Sequence, residues 1–323
     1  LVGAYLDAVD LDIARAVDRG MPLADTVFVG GGTPSLVAAE RLAASIERIP
    51  TVAGAEITVE CNPDDVDLGL IETYAGAGVD RVSIGVQSMA SHVLGALGRR
   101  HDRRNVERAV EAVRTVGLRS FNLDVIYGVA GERADDWRAT VEAVLALDPP
   151  HVSAYALTVE AGTPLASQPD RHPDDDDQAD KYRLADAALT EAGLANYEIS
   201  NWARPGHECR HNLIYWRQQD YRGFGCAAHS HRAGRRWWNV RTPDRYIDLV
   251  AAGEPTEASA ETLDEPTRRF ERLDLALRMG DGVPVDALDG DQLPGLVERR
   301  DDRWVLTPDG RMLANEVSIR LRV

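Results

Sequence analysis

The stretch TVFVGGGTPS at residues 26–35 joins a short apolar strand pattern to a glycine turn, and helical spacing follows near residues 36–48. Further strand patterns, separated by helical ones, occur in EITVEC (56–61), RVSIGV (81–86), FNLDVIYG (121–128) and HVSAYALTV (151–159). Strands that alternate with helices predict βαβ units and a parallel sheet. Val and Ile occupy both faces of these strands, which is typical of a sheet that helices cover on both sides. The sequence therefore predicts an α/β barrel.

The order of elements is open at its beginning. Residues 2–18 have helical spacing, whereas a strand should precede the first helix of such a barrel. A parallel sheet without its first strand would carry an unpaired edge. The chain begins with Leu1 rather than methionine. We therefore expect strand one and its following loop to lie upstream of Leu1.

Composition changes divide the chain into three predicted regions, with the barrel at 1–195. An acidic run at 171–180 is predicted to be a solvated loop that leads into a helix at 181–193. Residues 196–254 are rich in aromatic residues, histidine and glycine, and form a predicted extension. Residues 255–323 contain a helical pattern, a hairpin pattern and a second helical pattern. They predict a small winged-helix-like α+β domain.

The chain has 323 residues and a formal net charge of -17, with 44% hydrophobic residues, so it can bury a large core. The acidic excess argues against a general nucleic-acid binder, which needs clustered cations. Arg232, Arg235 and Arg236 form one candidate basic patch. No apolar run reaches the ~20 residues that span a bilayer. Three widely spaced cysteines do not suggest a disulfide framework and favour a reduced, cytoplasmic chain.

Polar residues recur where the predicted strands end. They are Glu60 and Asn62, Gln87 and Ser88, Asp124 and Tyr127, and Ala156 with Thr158. Burying such groups without partners costs ~1–3 kcal/mol each. Each could be capped by its own turn, but the recurrence at four strands favours a shared polar ligand. In α/β barrels the carboxyl ends of the strands carry the site.

The segments VFVGGGTPS, EITVECNPDD, RVSIGVQSM, LGRRHD and FNLDVIYGVAGE together resemble the cofactor-binding core of the coproporphyrinogen-dehydrogenase-like radical S-adenosylmethionine (SAM) proteins. The resemblance extends through the C-terminal LTPDGRMLA. It implies that the barrel is a partial (β/α)6 TIM-like radical SAM barrel without its first strand.

The resemblance also implies a set of SAM contacts. These are Gly31, Gly32 and Thr33 at the amino-acid end, further polar contacts from Glu60, Gln87, Arg99 and Asp124, and a backbone contact from Ala156 near the adenine. Carboxylates suit the ammonium and hydroxyl groups of SAM, and an arginine suits its carboxylate.

The sequence departs from this family at the iron–sulfur cluster. Members hold a [4Fe–4S] cluster with a CxxxCxxC loop after strand one. No such motif occurs here, and Cys61, Cys209 and Cys226 have the wrong spacing. We expect the cluster ligands upstream of Leu1, and the chain alone is not expected to cleave SAM.

The heptapeptide RHNLIYW at 210–216 resembles the HNxxYW signature of the haem-chaperone branch of this family. The resemblance implies that His211 is a haem-iron ligand, because neutral imidazole binds iron well. Tyr215 and Trp216 could then pack against the porphyrin. The alternative is that His211 and Asn212 cap a turn while the aromatic residues lie in the core.

A second candidate haem ligand is His229, in the small-residue run GFGCAAHS at 223–230. His207 and His231 are expected to be exposed, and Cys209 to be a buried structural residue. Three tryptophans in this region serve either as core and hairpin packing or as a tetrapyrrole platform. They are Trp202, Trp237 and Trp238.

The resemblance implies a haem chaperone that passes haem to apo-haemoproteins such as respiratory enzymes, with SAM and the cluster supporting the transfer. The first alternative is oxygen-independent coproporphyrinogen III dehydrogenase, a radical SAM enzyme that oxidatively decarboxylates propionate side chains. The second is another radical SAM activity, such as haem degradation or methyl transfer. HNxxYW favours the chaperone. Enzymatic activity, a homodimer and peripheral membrane contact stay open.

Overall fold

The computed structural model describes residues 1–322, which divide into two compact units. The barrel unit comprises Val29–Leu36 and Thr58–Glu208. The second unit comprises Leu1–Phe28, Val37–Ile57 and the chain from Cys209 onward. Among the residues described, no helix combines the length and the apolar character that crossing a bilayer requires. The region boundaries at 195 and 254 remain predictions.

Helices and strands alternate through the first two-thirds of the chain, as predicted, and further helices and strands follow up to residue 318. In order, they are α1 Val2–Asp18, β1 Ala24–Val29, α2 Ala39–Ile46, β2 Thr51–Cys61, α3 Leu68–Gly76, β3 Arg81–Gln87, α4 Ser91–Ala96, α5 Arg103–Val116, β4 Ser120–Tyr127, α6 Ala134–Ala146, β5 His151–Ala156, α7 Asp175–Glu191, β6 Ala195–Glu198, β7 Asn201–Ala203, α8 Arg210–Trp216, β8 His229–Arg232, β9 Arg235–Asn239, α9 Pro243–Ala252, β10 Glu257–Thr262, α10 Glu265–Leu277, β11 Val283–Pro284, β12 Val297–Arg300, β13 Arg303–Leu306, α11 Pro308–Met312 and α12 Ala314–Ser318.

The first seven strands form one sheet in the order β1-β2-β3-β4-β5-β7-β6. Strands β2 to β5 are parallel neighbours. Strand β7 pairs antiparallel with both β5 and β6. The parallel register places Asn122 level with His151. This sheet and its crossover helices confirm the predicted partial α/β barrel.

One face of the barrel strands is apolar because helices cover it. Val125 of β4 and Val152 of β5 are buried. They surround one small void together with Trp137 of α6 and Leu189 of α7. Each such burial contributes about 1.5–3 kcal/mol relative to exposure. The Trp137 indole N–H donates to the carbonyl oxygen of Lys181 at 2.9 Å, which ties α6 to α7.

The other face of the same strands is polar, which corrects the expectation of Val and Ile on both faces. Ser83, Asn122, His151 and Ser153 are all buried there. Side chains alternate along a strand, so these residues share a face with the cavity-lining Asp124. The polar atoms of these side chains form hydrogen bonds with one another.

The acidic run at 171–180 is not a loop throughout, because α7 begins at Asp175. The side chain of Asp174 accepts a hydrogen bond from the backbone N–H of Asp177 at 2.9 Å and caps the helix. Three aspartates occupy the first turn, where the helix dipole favours negative charge. This capping explains why the helix starts six residues before the predicted residue 181.

In the second unit, α1 packs against α9 through Ala8, Tyr246 and Val250. The Arg15 guanidinium donates to the carbonyl oxygen of Val250 at 2.6 Å. Two three-stranded sheets lie in this unit, ordered β10-β9-β8 and β11-β13-β12. The hairpin β12–β13 and the helices that follow it confirm the small α+β part predicted near the C-terminus.

The candidate basic patch is not free positive charge. Arg235 donates to both carboxylate oxygens of Glu257, at 2.6 and 2.8 Å. Arg236 pairs with Glu261 and with Glu271. Because their charges are compensated by these neighbours, the prediction of a local basic patch at Arg235 and Arg236 is wrong.

Candidate functional site

A cavity of about 160 Å³ lies at the carboxyl ends of the barrel strands. The lining residues come from the turn after β1, the end of β2, the strands β3 and β4, and the segment between α4 and α5. They are Gly32, Thr33, Pro34, Glu60, Cys61, Asn62, Ser83, Gly85, Gln87, Arg99 and Asp124. This is the end of a parallel sheet where ligands bind in α/β barrels.

The glycine turn after β1 forms one wall of the cavity. Gly31 and Gly32 have φ angles of 83° and 69°, which residues with a Cβ rarely adopt. The Gly31 N–H donates to Glu60 Oε2 at 3.1 Å. Behind the turn, the Ser35 hydroxyl donates to Asp65 Oδ2 at 2.7 Å and accepts from the Asn62 N–H at 3.0 Å. The turn is therefore held in place before any ligand binds.

Two carboxyl groups face this cavity. Burial raises the pKa of Glu60; the Gly31 N–H opposes that shift, and the charge of Asp124 adds to it. Burial also raises the pKa of Asp124, and hydrogen bonds from Ser83, Ser153 and Asn122 oppose that shift. Both carboxylates would gain from a cation or from hydroxyl donors in the cavity.

Gln87 and Arg99 bring an amide and a positive charge to the same cavity. Gln87 has a φ of 61°. Its Nε2 lies 2.8 Å from where a Cβ on Gly85 would stand, so glycine leaves room for this side chain. The Arg99 side chain is exposed, and its guanidinium has no hydrogen bond or ion pair within residues 1–322. A ligand carboxylate could therefore reach it without displacing a protein partner.

The structure thus gathers most of the predicted cofactor residues around one cavity. Gly32, Thr33, Glu60, Gln87, Arg99 and Asp124 line it. Gly31 contacts the cavity-lining Glu60 through its backbone N–H. Ala156 is exposed at the end of β5 and does not line the cavity. Their roles in SAM binding remain predictions. Ser83 and Gly85 were missed, although their spacing of two residues places them on the same face of β3.

The second candidate site centres on His211 in α8. The His211 Nδ1 lies 2.8 Å from Thr26 Oγ1, and its Nε2 lies 2.8 Å from the Tyr215 hydroxyl. The imidazole stacks on Phe28 with ring centroids 5.3 Å apart. The backbone N–H of His211 donates to Glu56 Oε1 at 3.1 Å. Burial lowers the pKa of His211 to about 4, so the ring is neutral near pH 7.

Both ring nitrogens of His211 are engaged, so iron ligation requires one hydroxyl to move away. Tyr215 can do so because its side chain is 43% exposed. Its ring meets Tyr221 edge-on, with centroids 4.6 Å apart. This exposure contradicts the alternative in which Tyr215 belongs to the core. Trp216 is half-buried at the end of α8.

His229 is presented differently. It is exposed on β8 and stacks on Trp238 of β9, with ring centroids 5.7 Å apart. The preceding glycines allow tight packing, since a Cβ on Gly223 would come within 2.3 Å of the His229 carbonyl oxygen. The indole of Trp238 is half-buried. An exposed imidazole on an aromatic support can accept a ligand without rearrangement.

Other predictions for this region have mixed outcomes. His231 is buried and its Nδ1 lies 2.9 Å from the Gln219 carbonyl oxygen, so its predicted exposure is wrong. His207 is half-buried rather than exposed, with Nδ1 3.0 Å from Ser120 Oγ. Trp202 is fully buried and donates to Asp186 at 2.9 Å, which supports the core interpretation.

The cysteines do not form a cluster site within the part of the chain that is described. Cys61 and Cys209 are buried, and Cys226 is half-buried. Burial raises the pKa of the Cys61 thiol to about 12, which disfavours the thiolate. No group of three or more His, Cys, Asp or Glu side chains is placed to hold a metal among residues 1–322. These residues do not fit a [4Fe–4S] cluster.

Comparison with known proteins gives consistent matches. The model of the radical SAM superfamily matches residues 8–144. The heme chaperone HemW of Mycobacterium tuberculosis is 40% identical over 95% of this chain and 83% of its own length. The Escherichia coli K12 HemW is 35% identical over 97% and 87%, respectively.

Among solved structures, the coproporphyrinogen III oxidase HemN of Escherichia coli, described as a radical SAM enzyme, superimposes with a TM-score of 0.82. The alignment covers 98% of this chain and 82% of that one, at 21% identity. At this identity the similarity shows a shared fold.

Proposed function

Because this chain belongs to the HemW family of the radical SAM superfamily, we propose that it is a haem chaperone. It binds haem and passes it to apo-haemoproteins, with SAM bound in the barrel cavity. The haem part rests on His211, a neutral imidazole whose Nε2 lies 2.8 Å from the hydroxyl of Tyr215, an exposed side chain. Respiratory enzymes are the proposed clients, and a cytoplasmic location remains a prediction.

The barrel cavity supports the SAM part of the proposal through its charge pattern. The Arg99 guanidinium, which has no partner among residues 1–322, suits the carboxylate of the methionine end. Glu60, which already orders the glycine turn, suits the ammonium group. Asp124 suits the ribose hydroxyls, as a buried acceptor. Ala156 is proposed near the adenine, outside the cavity that these residues line.

Haem, when bound, would supply an iron that an imidazole nitrogen can ligate. His211 is the first proposed ligand, since its low pKa leaves the ring unprotonated. The Tyr215 and Trp216 rings could then cover part of the porphyrin face. His229, stacked on Trp238, is the second proposed ligand. Which nitrogen binds depends on which hydroxyl His211 releases.

Haem titration of variants tests this proposal. We expect His211→Ala to shift the Soret band and to weaken haem affinity by at least about tenfold, because a lost iron–imidazole bond leaves mainly apolar contacts. His229→Ala is measured in parallel. His172→Ala is the matched control, since His172 is exposed in the barrel unit. If both His211→Ala and His229→Ala bind haem like the unmodified chain, the ligand assignment is wrong.

The coproporphyrinogen III dehydrogenase alternative has weaker support. The relatives that are 35–40% identical are named heme chaperones, whereas HemN shares 21% identity and shows the fold alone. Incubating a cluster-loaded preparation with SAM and coproporphyrinogen III separates the two. Protoporphyrinogen produced over many turnovers would refute the chaperone proposal as stated.

A further inference from the structure

A network of buried polar side chains adjoins Asp124 in the barrel unit, and Asn122 on β4 lies at its centre. The Asn122 Nδ2 group faces three oxygen atoms, Ser83 Oγ at 2.7 Å and both Asp124 Oδ1 and Ser153 Oγ at 2.8 Å. The Ser83 hydroxyl donates in turn to Asp124 Oδ2 at 2.7 Å. Asp124 is therefore held at both oxygens, by Ser83 and by Asn122.

The Asp124 carboxylate can only accept, so it favours the orientation of the Asn122 amide with the NH₂ group on this side. On its other side, Asn122 Oδ1 lies 2.6 Å from Nδ1 of His151 on β5. A carbonyl oxygen is an acceptor, so His151 Nδ1 must carry the proton. In a neutral ring Nε2 then accepts from the Tyr197 hydroxyl, which lies 2.8 Å away.

The His151 ring stays neutral because it is fully buried. Burial lowers its pKa well below the usual value, and the charges of Arg81 and His207 lower it further. Rotating the Asn122 amide would turn its oxygen toward Asp124 and its NH₂ toward the His151 N–H. The contact with Asp124 would be repulsive, and His151 would have to move its proton from Nδ1 to Nε2 to accept from the NH₂ group, at a cost comparable to leaving buried groups unpaired.

We propose that His151 is a positioning residue, which fixes the Asn122 amide by donating to its oxygen and thereby holds Asp124 in the orientation that the cavity ligand meets. The proposal rests on the cavity being an adenosyl-ligand site. His151 itself does not line the cavity, so it acts through Asn122. A role confined to filling space is less economical, because a buried imidazole needs two satisfied nitrogens where leucine needs none.

Three substitutions separate the donor from the ring. His151→Asn can place an NH₂ group where Nδ1 stands and so keep the donor to Asn122. His151→Gln places its amide nearer the Nε2 position and loses that donor. Tyr197→Phe removes the partner of Nε2 and leaves the His151–Asn122 bond intact. The readout is the affinity for S-adenosylhomocysteine, a stable analogue, by calorimetry.

We expect His151→Gln to weaken binding about tenfold, because a charged hydrogen bond to Asp124 is lost or reversed. His151→Asn and Tyr197→Phe should stay within about threefold of the unmodified chain. Equal losses in His151→Asn and His151→Gln would overturn the proposal, because a structural role predicts both. Unchanged binding in all three variants would overturn it as well.

A second readout does not depend on any ligand. With ¹⁵N-labelled asparagine, the Asn122 side-chain amide should exchange slowly in the unmodified chain, in Tyr197→Phe and in His151→Asn. It should exchange fast in His151→Gln. If the unmodified chain fails to bind S-adenosylhomocysteine, the SAM part of the proposed function fails. The exchange pattern then decides whether His151 fixes Asn122, and the same slow exchange in His151→Gln would refute that.

Discussion

The barrel cavity and the His211 cluster differ in how their polar groups are satisfied. In the cavity, hydrogen bonds from the protein hold the carboxylates of Glu60 and Asp124 in place. The Arg99 guanidinium has no partner among residues 1–322. In the cluster, each nitrogen of His211 already has a hydroxyl partner. The cavity is prepared for a ligand, whereas the cluster must give up an internal bond to bind one. The barrel cavity is therefore preorganised for a ligand, whereas the polar groups of the His211 cluster are already hydrogen-bonded to one another.

The largest effect should come from breaking a buried ion pair in the barrel unit. Lys181 is 2% exposed and contacts Glu132 Oε2 at 3.0 Å. Lys181→Met should lower the free energy of unfolding by about 3–5 kcal/mol, because it leaves a buried carboxylate unpaired. Urea denaturation measures this. Arg183→Met, at an exposed ion pair, is the control and should change the free energy by about 0.5 kcal/mol or less.

A second substitution makes the ion-pair prediction sharper. Adding Glu132→Leu to Lys181→Met should restore part of the lost stability, because the unpaired charge is then gone although the buried Gly128 N–H loses its acceptor. No recovery in the double variant would mean that the loss comes from packing and not from charge.

The next largest effect tests whether the cavity is an adenosyl site. Asp124→Asn should weaken S-adenosylhomocysteine binding by about 10- to 100-fold, since a neutral amide cannot accept from both ribose hydroxyls as a carboxylate does. Asp64→Asn changes the same charge at an exposed residue nearby and should leave binding unchanged. Equal losses in the two variants would point to long-range charge instead of a contact.

A smaller effect tests whether the cluster is closed by its own hydroxyl. Tyr215→Phe removes the partner of His211 Nε2 and keeps the ring. Haem affinity should rise by about 2- to 10-fold, the equivalent of one hydrogen bond that no longer has to break. Tyr221→Phe is the control, because Tyr221 contacts the Tyr215 ring. A weaker haem complex in Tyr215→Phe would show that the hydroxyl assists binding.

The smallest expected change is a flat pH profile. The pKa of His211 is lowered to about 4, so a proton competes with iron for the ring only near and below that pH. Haem affinity should be constant from pH 8 to about 5. A histidine of ordinary pKa, ~6.5, would instead lose affinity as the pH falls below that value. Soret titrations of the His229→Ala variant across this range distinguish the two, and a decline centred near 6.5 would exclude His211.

The sequence predicted the barrel because alternation of strands and helices is a local pattern. It also predicted Glu60 and Gln87, since each follows an apolar run at the end of a strand, whereas Asp124 lies in the middle of β4 and was assigned to the site through the family resemblance. The chain of Ser83, Asn122 and His151 was missed because it depends on the register between strands. The contact of His211 with Thr26 was beyond sequence reasoning, since the two residues are 185 positions apart.

The pairing of α1 with α9 has a consequence for how the protein is made. Their hydrogen bond joins residues 235 positions apart. At about 5–20 residues per second, roughly 10 to 50 s separate the synthesis of α1 from that of α9. The barrel strands β2 to β5, which pair with neighbours in sequence, can assemble as they emerge. The apolar face of α1 stays exposed until its partner is synthesised, so we expect nascent chains of intermediate length to need protection from aggregation at α1.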